Sequence, residues 1–242
     1  MGAPGEVDPY AEIASFYDAE FDGACADVAT FARGLDGCRR VLVLGCGTGR
    51  VSEGLNAPDR DVVGVDLSAP MIARARARGS RVRYEVGDMT ALPTLGTFDA
   101  ALIPNAAFSF LPTRAAQLRC LQGLRACLTG PVWIDVPMPD FTLLGVAHSP
   151  ESPAWAGRVD GVDVHRTREV FRDPVRQTLL LRDRYRFGGV CRVSDLHLRL
   201  IFPAELEWML EAAGFYADAM FGDHAGGAVR AGCDRLLVRA LS

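Results

Sequence analysis

Three alternating glycines, Gly45, Gly47 and Gly49, close the apolar run Val41-Leu42-Val43-Leu44, and their type and spacing could hold a nucleotide-like ligand. Glycine takes up left-handed backbone readily and has no Cβ, so at a sharp strand-to-helix turn bare backbone can approach a ligand, with helix-start N–H groups facing it. A second apolar run, Asp61-Val62-Val63-Gly64-Val65-Asp66, ends in a carboxylate twenty-one residues after Gly45. A strand-end acid at that distance can accept hydrogen bonds from both hydroxyls of a ribose.

These groups act together only if one architecture brings them to one place. From about residue 40 to 136 apolar strand candidates alternate with helical stretches, the pattern of a parallel sheet covered by helices on both faces. Strands are expected near 40–45, 61–66, 81–86, 98–103 and 131–136. Helices are expected near 49–56, 69–78 and 113–128, the last starting beside Pro112-Thr113 and stopping before Gly130-Pro131. In open α/β sheets ligands lie outside the carboxyl ends of the strands, so Gly45, Asp66, Asp88 and Ile103 to Asn105 should converge on one crevice. Beyond residue 150 the pattern turns β-rich. Val162–Phe171 and Gln177–Phe187 read as a hairpin about Asp173-Pro174, and Asp195-Leu196-His197-Leu198-Arg199-Leu200 extends it into a small antiparallel sheet, a lid over the crevice that would set substrate choice. A helix from about 203 to 213 ended by Gly214, a strand near 215–221 and a last strand near 233–240 follow. The chain thus reads as one domain, 1–242, with an N-terminal helical cap (1–39), a cofactor-binding core (40–150), the β-rich lid (151–201) and the C-terminal part of the core sheet (202–242).

The glycine spacing departs from the dinucleotide fingerprint, whose third glycine comes three residues after the second. The G-x-G-x-G form here, preceded by Val-Leu-x-Leu and followed by Val-Gly-Val-Asp-Leu-Ser-x-x-Met-Ile, resembles class I S-adenosylmethionine-dependent methyltransferases. The resemblance continues through Tyr84-Glu85-Val86-Gly87-Asp88-Met89 and Phe98-Asp99-Ala100-Ala101-Leu102-Ile103, covering roughly residues 40–136. The tail, Leu200-Ile201-Phe202-Pro203-Ala204-Glu205-Leu206 and Ala213-Gly214-Phe215, is similar to the small-molecule branch of that family, several of whose members methylate amines.

The resemblance implies an α/β fold: a Rossmann-like, seven-stranded, mostly parallel sheet with helices on both faces, its final strand antiparallel. It also implies S-adenosylmethionine as methyl donor and S-adenosylhomocysteine as product. Gly45, Cys46, Gly47 and Gly49 would hold the donor at the turn, Asp66 its ribose, Asp88 the adenine amino group and the Met89 N–H a ring nitrogen. Leu67 and Met71 would wall the base, with Met71 as plain helix core the competing reading. Before the first strand, Pro9–Asp18 puts Ile13, Phe16 and Tyr17 on one helical face. Either Tyr10 or Tyr17 would then lie near the methionyl end of the donor, with Tyr17 also reaching the acceptor, or the helix simply packs on the sheet.

A sulfonium methyl is already activated, so transfer needs little beyond an in-line nucleophile at about 3 Å in a dry site. An amine acceptor must arrive neutral, and a carboxylate or imidazole that takes its proton assists. Asp135, ending the fifth strand in Trp133-Ile134-Asp135-Val136-Pro137, is the first candidate; His165 and His197 follow, with His148 beside them. Pro104 and Asn105 fall after the fourth strand, next to the methyl group, and Phe108 and Phe110 would line a small organic acceptor. Alternate residues on an extended segment point to opposite sides, which sends at least one of these two rings to the core. The segment lacks the Asn-Pro-Pro-[Tyr/Phe] form by which DNA base methyltransferases hold an amino group.

All 26 basic residues are arginines. The lack of lysine excludes lysine Schiff-base chemistry and a P-loop phosphate site. A net charge of −4 and a pI near 5.6 disfavour a nucleic-acid partner. Arg74-Ala75-Arg76-Ala77-Arg78 spreads around a helix as a solvated face. Seven cysteines without a C-x-x-C pair or a histidine at ligand spacing argue against disulfides and a metal site. Cys120 and Cys127 share a helix face as reduced core residues, and Cys46 packs beneath the donor without a base to activate it. Met1–Gly5 shows no basic-then-apolar leader and no apolar run approaches a bilayer span. The expectation is a cytoplasmic monomer or homodimer with a small-molecule substrate, no membrane partner and no metal.

Methylation of an amine nitrogen in a specialised metabolite, as in natural product biosynthesis, is the first reading, with O- or C-methylation its nearest variant. A nicotinamide-dependent oxidoreductase is opposed by the glycine spacing and by the impossibility of a Tyr-x-x-x-Lys pair without lysine. A protein that binds the donor without transferring methyl is the third.

Overall fold

Alternation along the central strands decides the architecture. The structure, a computed structural model, describes residues 8–23 and 26–242; Met1–Gly5, read above for a leader, and Cys25 lie outside them. Strands β1 (Arg40–Leu44), β2 (Asp61–Asp66), β3 (Arg83–Val86), β4 (Ala100–Ile103) and β5 (Val132–Pro137) follow the apolar runs. With β10 (Tyr216–Phe221) and β11 (Arg235–Leu241) they form a seven-stranded sheet in the order β10-β11-β5-β4-β1-β2-β3. All neighbours are parallel except at β11, which runs antiparallel to β5 and β10. Val41 and Val43 of β1 face helices α2 (Ala26–Gly34), α3 (Arg50–Gly54) and α4 (Ala69–Ala77), packing with Phe31, Val51 and Ile72. Leu42 and Leu44 face the other way, onto α5 (Arg114–Cys127) and α6 (Pro203–Ala212), where Cys120, Leu124 and Leu210 meet them in one core. Caps fix where two of these helices begin: the Ser68 hydroxyl accepts from the Met71 N–H at 3.3 Å, and that of Thr113 from the Ala116 N–H at 3.1 Å.

Because β1 is flanked by β2 and β4, the order of the chain reverses beside it, and a crevice opens at the carboxyl ends of these strands. A second, antiparallel sheet follows β5, with β6 (His148–Val159), β7 (Val162–Asp173), β8 (Thr178–Phe187) and β9 (Val190–Arg199) in sequential order. The sequence predicts three of these strands and a start near 151. The missing strand, β6, carries Pro150 and Pro153, which read as loop; it is an edge strand, where a missing N–H need not break the ladder, and register shifts near Ser149/Ser152 and Pro153/Trp155 absorb the irregularity.

The N-terminal helix α1 (Ala14–Phe21) starts later than its periodicity predicts, and it packs on the second sheet. Ile13 and Phe16 form a small core with Val164 and Tyr185; the Phe16 ring stacks on Tyr185 at 5.3 Å and tilts against Phe187 at 4.8 Å. Glu20 joins them through Arg166, which with Arg168 also pairs Asp183. The lid sheet is therefore docked through α1. Phe16→Ala is expected to lower stability by about 3 kcal/mol and to accelerate proteolytic cleavage within 148–199. An unchanged cleavage rate would mean the lid is held elsewhere.

Candidate functional site

The turn after β1 is built by close approach. Gly45 and Gly47 have positive φ, +66° and +55°. A Cβ on Gly45 would lie 2.3 Å from the Ala107 Cβ, so the turn packs directly against the segment following β4, whereas a Cβ on Gly47 would meet nothing within 4 Å. At Gly49 a Cβ would strike the Tyr84 hydroxyl at 2.4 Å. The turn's N–H groups are engaged internally: Gly45 and Cys46 donate to the Val65 carbonyl at 2.8 and 3.1 Å, Gly49 to that of Cys46 at 3.0 Å, and Gly47 to Asp66 Oδ2 at 2.8 Å. This corrects the expectation of free donors. The turn supplies a Cβ-free face at Gly47 and a rigid anchor for Asp66, and α3 beyond it is only five residues long.

Asp66 is held at both oxygens, with the Ser68 N–H on Oδ1 at 2.9 Å. Burial pushes its carboxyl above the ordinary range, and the N–H bonds from Ser68 and Gly47 pull the other way. One strand further along the edge, after β3, Asp88 receives the Thr90 N–H on Oδ1 at 2.8 Å, and its Oδ2 has no partner among the described residues. Leu67 stands 64% exposed beside Asp66, an apolar surface awaiting cover, while Met71 is buried at 2% and takes the core reading. Met89 reaches the glycine turn: its Cε would lie 3.5 Å from a Gly45 Cβ. The Cys46 sulfur points toward β2, 2.9 Å from where a Gly64 Cβ would stand, and burial raises its thiol well above the usual range, leaving it unreactive.

The N-terminal segment crosses this edge. Asp8 accepts from the Ser68 hydroxyl at 2.6 Å, and Tyr10 meets Tyr17 edge-on at 6.2 Å and Phe110 at 5.9 Å. Burial pushes both tyrosine hydroxyls up, that of Tyr17 to about 12, and Asp66 is among the charges raising each. Both hydroxyls therefore lie within reach of the Asp66 charge. Phe110 belongs to this aromatic group, but Phe108 is fully buried in the α5 side of the core, so the structure withdraws it from the acceptor site.

At the end of β5 the carboxylate of Asp135 has no exposure. Arg235 Nε donates to Oδ1 at 2.6 Å, the Asn105 N–H to Oδ2 at 3.3 Å, and His224 Nε2 lies 3.2 Å from Oδ2. Walled in by these three, Asp135 is not placed to touch an acceptor itself. Pro104 and Asn105 lead into this cluster, with Asn105 and Ala106 both left-handed at φ +52° and +65°. The structure does not bring His165 and His197 to the crevice. Strand alternation puts Val164, Arg166, Leu196 and Leu198 on the buried face of the lid and leaves both histidines on the exposed one. His148 pairs Glu169 on the lid. Sequence reasoning missed His224, which sits in the glycine-rich connection between β10 and β11 without periodicity or motif. The available signal is topological: β10 runs parallel to β5, so the loop leaving it opens on the same edge.

Residues 41–129 match a family described as a methyltransferase domain. Residues 41–129 thus form a methyltransferase domain. Demethylmenaquinone methyltransferase of Thermus thermophilus is 44% identical over 79 residues, 30% of this chain and 34% of that protein, so the match spans about a third of the relative's length. Among solved structures, CcbJ methyltransferase from Streptomyces caelestis superposes with a TM-score of 0.81 at 21% identity, over 97% of this chain and 98% of that one. The S-adenosylmethionine-bound CalS10, an amino pentose methyltransferase from Micromonospora echinaspora, superposes with a TM-score of 0.68 at 25% identity, over 92% and 90%.

The methyltransferase domain's own groups fit the adenosyl donor: an open Cβ-free face at Gly47, a clamped acid at Asp66, an unpartnered acceptor oxygen on Asp88 and the bare Leu67 side chain. Replacing Asp135 by asparagine would leave the Arg235 guanidinium against a neutral amide, and we expect this to cost about 2–3 kcal/mol, seen as a lowered Tm. Unchanged stability would show that the pair with Arg235 contributes no net energy.

Proposed function

We propose that this protein transfers a methyl group from S-adenosylmethionine to the amine nitrogen of a small, amine-bearing metabolite. The observation carrying the reading is Asp66, clamped by the Gly47 and Ser68 N–H groups beside the open face at Gly47, with the Tyr10 and Tyr17 hydroxyls within reach of its charge. When bound, the donor supplies a methyl carbon already activated by its positive sulfur. In this reading Asp66 accepts from the ribose hydroxyls, Asp88 Oδ2 from the adenine amino group, the Met89 N–H donates to the ring, and Leu67 packs against the base. The backbone of Gly45, Cys46, Gly47 and Gly49 passes beneath it. Tyr10, Tyr17 and Phe110 exclude water, and Tyr17 and Phe110 with Pro104 and Asn105 shape the acceptor side. Exclusion of water matters because an in-line displacement gains most from a fixed, dry approach. CalS10, which resembles this chain over nearly its whole length, acts on an amino pentose, and that likeness supports a small acceptor bearing an amine.

Asp66→Ala is expected to raise the Kd for S-adenosylhomocysteine about 10- to 100-fold in calorimetry, since hydrogen bonds to a charged acceptor contribute about 1.5–3 kcal/mol. Affinity within twofold of wild type would remove Asp66 from the ribose. Its carboxyl must be ionised to accept both hydroxyls and sits above the ordinary range. Wild-type binding should therefore weaken on acidification at a higher pH than an ordinary aspartate, near pH 4, would dictate; a profile that stays flat down to that pH contradicts the assignment. For the acceptor, mass spectrometry of a panel of amino sugars, primary amines, phenols and carboxylic acids incubated with the donor should show a methyl gain on amines. Methylation confined to phenols or acids would replace the amine reading.

A further inference from the structure

We infer that His224 takes the proton from the acceptor nitrogen and that Asp135 is the positioning residue that sets its tautomer. The inference rests on the amine-methylation reading above. The steps leading to His224 are short. Gly45 abuts Ala107, Ala107 follows Asn105 and Ala106, the Asn105 N–H binds Asp135 Oδ2 at 3.3 Å, and that oxygen lies 3.2 Å from His224 Nε2. The imidazole therefore stands on the β5 side of the crevice, across the β1–β4 switch point from Asp66 and Asp88. The acceptor belongs on that side if the adenosyl group occupies the other.

His224 is held as a base should be. Thr30 Oγ1 donates to its backbone carbonyl, and the Phe31 ring meets the imidazole edge-on at 6.0 Å. Against a carboxylate that can only accept, Nε2 carries the proton, which leaves Nδ1 as a bare lone pair; no hydrogen bond among the described residues engages it. The side chain keeps 17% of its surface exposed, whereas Asp135 keeps none, so His224 is the member of the pair an acceptor can touch. The charges around it are Asp135 on β5, Arg235 on β11, the Asp27–Arg50 pair on α2 and α3, and Asp223 on its own loop. In the step itself an arriving ammonium gives its proton to Nδ1, and the freed nitrogen pair forms the N–C bond as the C–S bond breaks. The sulfur keeps the electron pair of the broken C–S bond and becomes a neutral thioether, and the proton leaves His224 to water.

His224→Gln keeps an N–H donor for Asp135 but cannot take a proton. With an amine acceptor from the panel, we expect kcat to fall about 10²- to 10³-fold near pH 7, with KM and S-adenosylhomocysteine affinity within threefold of wild type. The deficit should shrink as pH rises toward the acceptor's own ionisation, about pH 8–10 for amines. Wild-type turnover in the variant, or the same loss at every pH, overturns the proposal. Independently, the ¹⁵N shifts of the His224 ring in the full chain with S-adenosylhomocysteine should report an Nε2–H tautomer, and Asp135→Asn should weaken that preference; an Nδ1–H tautomer overturns it. Wild-type activity on the amine panel decides the amine reading by itself, so the two failures are distinct.

Discussion

The contact between Gly45 and Ala107 governs the site. No side chain fits between the turn after β1 and the segment after β4, since a Cβ at position 45 would overlap Ala107 at 2.3 Å. The two halves of the sheet thus meet with the Gly45 backbone against the Ala107 methyl group, at the point where strand order reverses. Everything on the β2–β3 side faces everything on the β5–β10 side across this one seam. The arrangement asks the chain after β4 for two successive left-handed residues, Asn105 and Ala106, neither of them glycine. Asp135 supports the resulting bend from below: its carboxylate accepts the Asn105 N–H and its carbonyl the Ala106 N–H at 2.9 Å. One buried residue thereby shapes the seam, pairs Arg235 and orients His224.

The covering elements are tied to this frame by different physics. α1 meets the lid through aromatic stacking and through the buried cluster of Glu20, Arg166, Asp183 and Arg168. Burial pushes the Glu20 carboxyl up against the opposing pull of Arg166, so the cluster is not a simple source of stability. Its geometric consequence is clear: four charged groups with directional hydrogen bonds fix one docking on the lid of α1, the helix that carries Tyr17. Upstream, Ser194 of β9 donates to the Pro9 carbonyl at 2.8 Å, tying the lid to the segment that carries Tyr10 as well.

What could be read from the sequence was what local rules encode. The apolar runs of β1, β2 and β4, the glycine turn, Asp66 and the start of α5 beside Thr113 are each settled by a few neighbouring residues, whereas the seven-stranded sheet with its antiparallel last strand was implied by the family resemblance. The readings that failed needed distant partners. That Gly47's N–H would be spent on Asp66 depends on a strand end nineteen residues away. Phe108 reads like Phe110 until the 3-10 turn over Ala107–Phe110 sends one ring to the α5 core and leaves the other beside Tyr10. Strand β6 was hidden by prolines that only an edge can hold, and His224 by a loop whose position depends on β10 returning to the same edge.

Two kinds of departure from ordinary packing occur at that seam. Asn105 and Ala106 hold a conformation costing roughly 1–3 kcal/mol each. Within a few residues, the Ser109 hydroxyl and Arg235 Nη2 are buried without a hydrogen-bond partner among the described residues. A core selected for stability alone would relax such features, because each unsatisfied buried group costs about 1–3 kcal/mol. The sheet interior on either side shows the contrast, with Val43, Leu44, Leu102 and Ile134 fully buried and regular. At the seam, β4 and β5 thus set strained backbone beside the imidazole, as expected where a fold gives up local consistency to fix reacting groups in place.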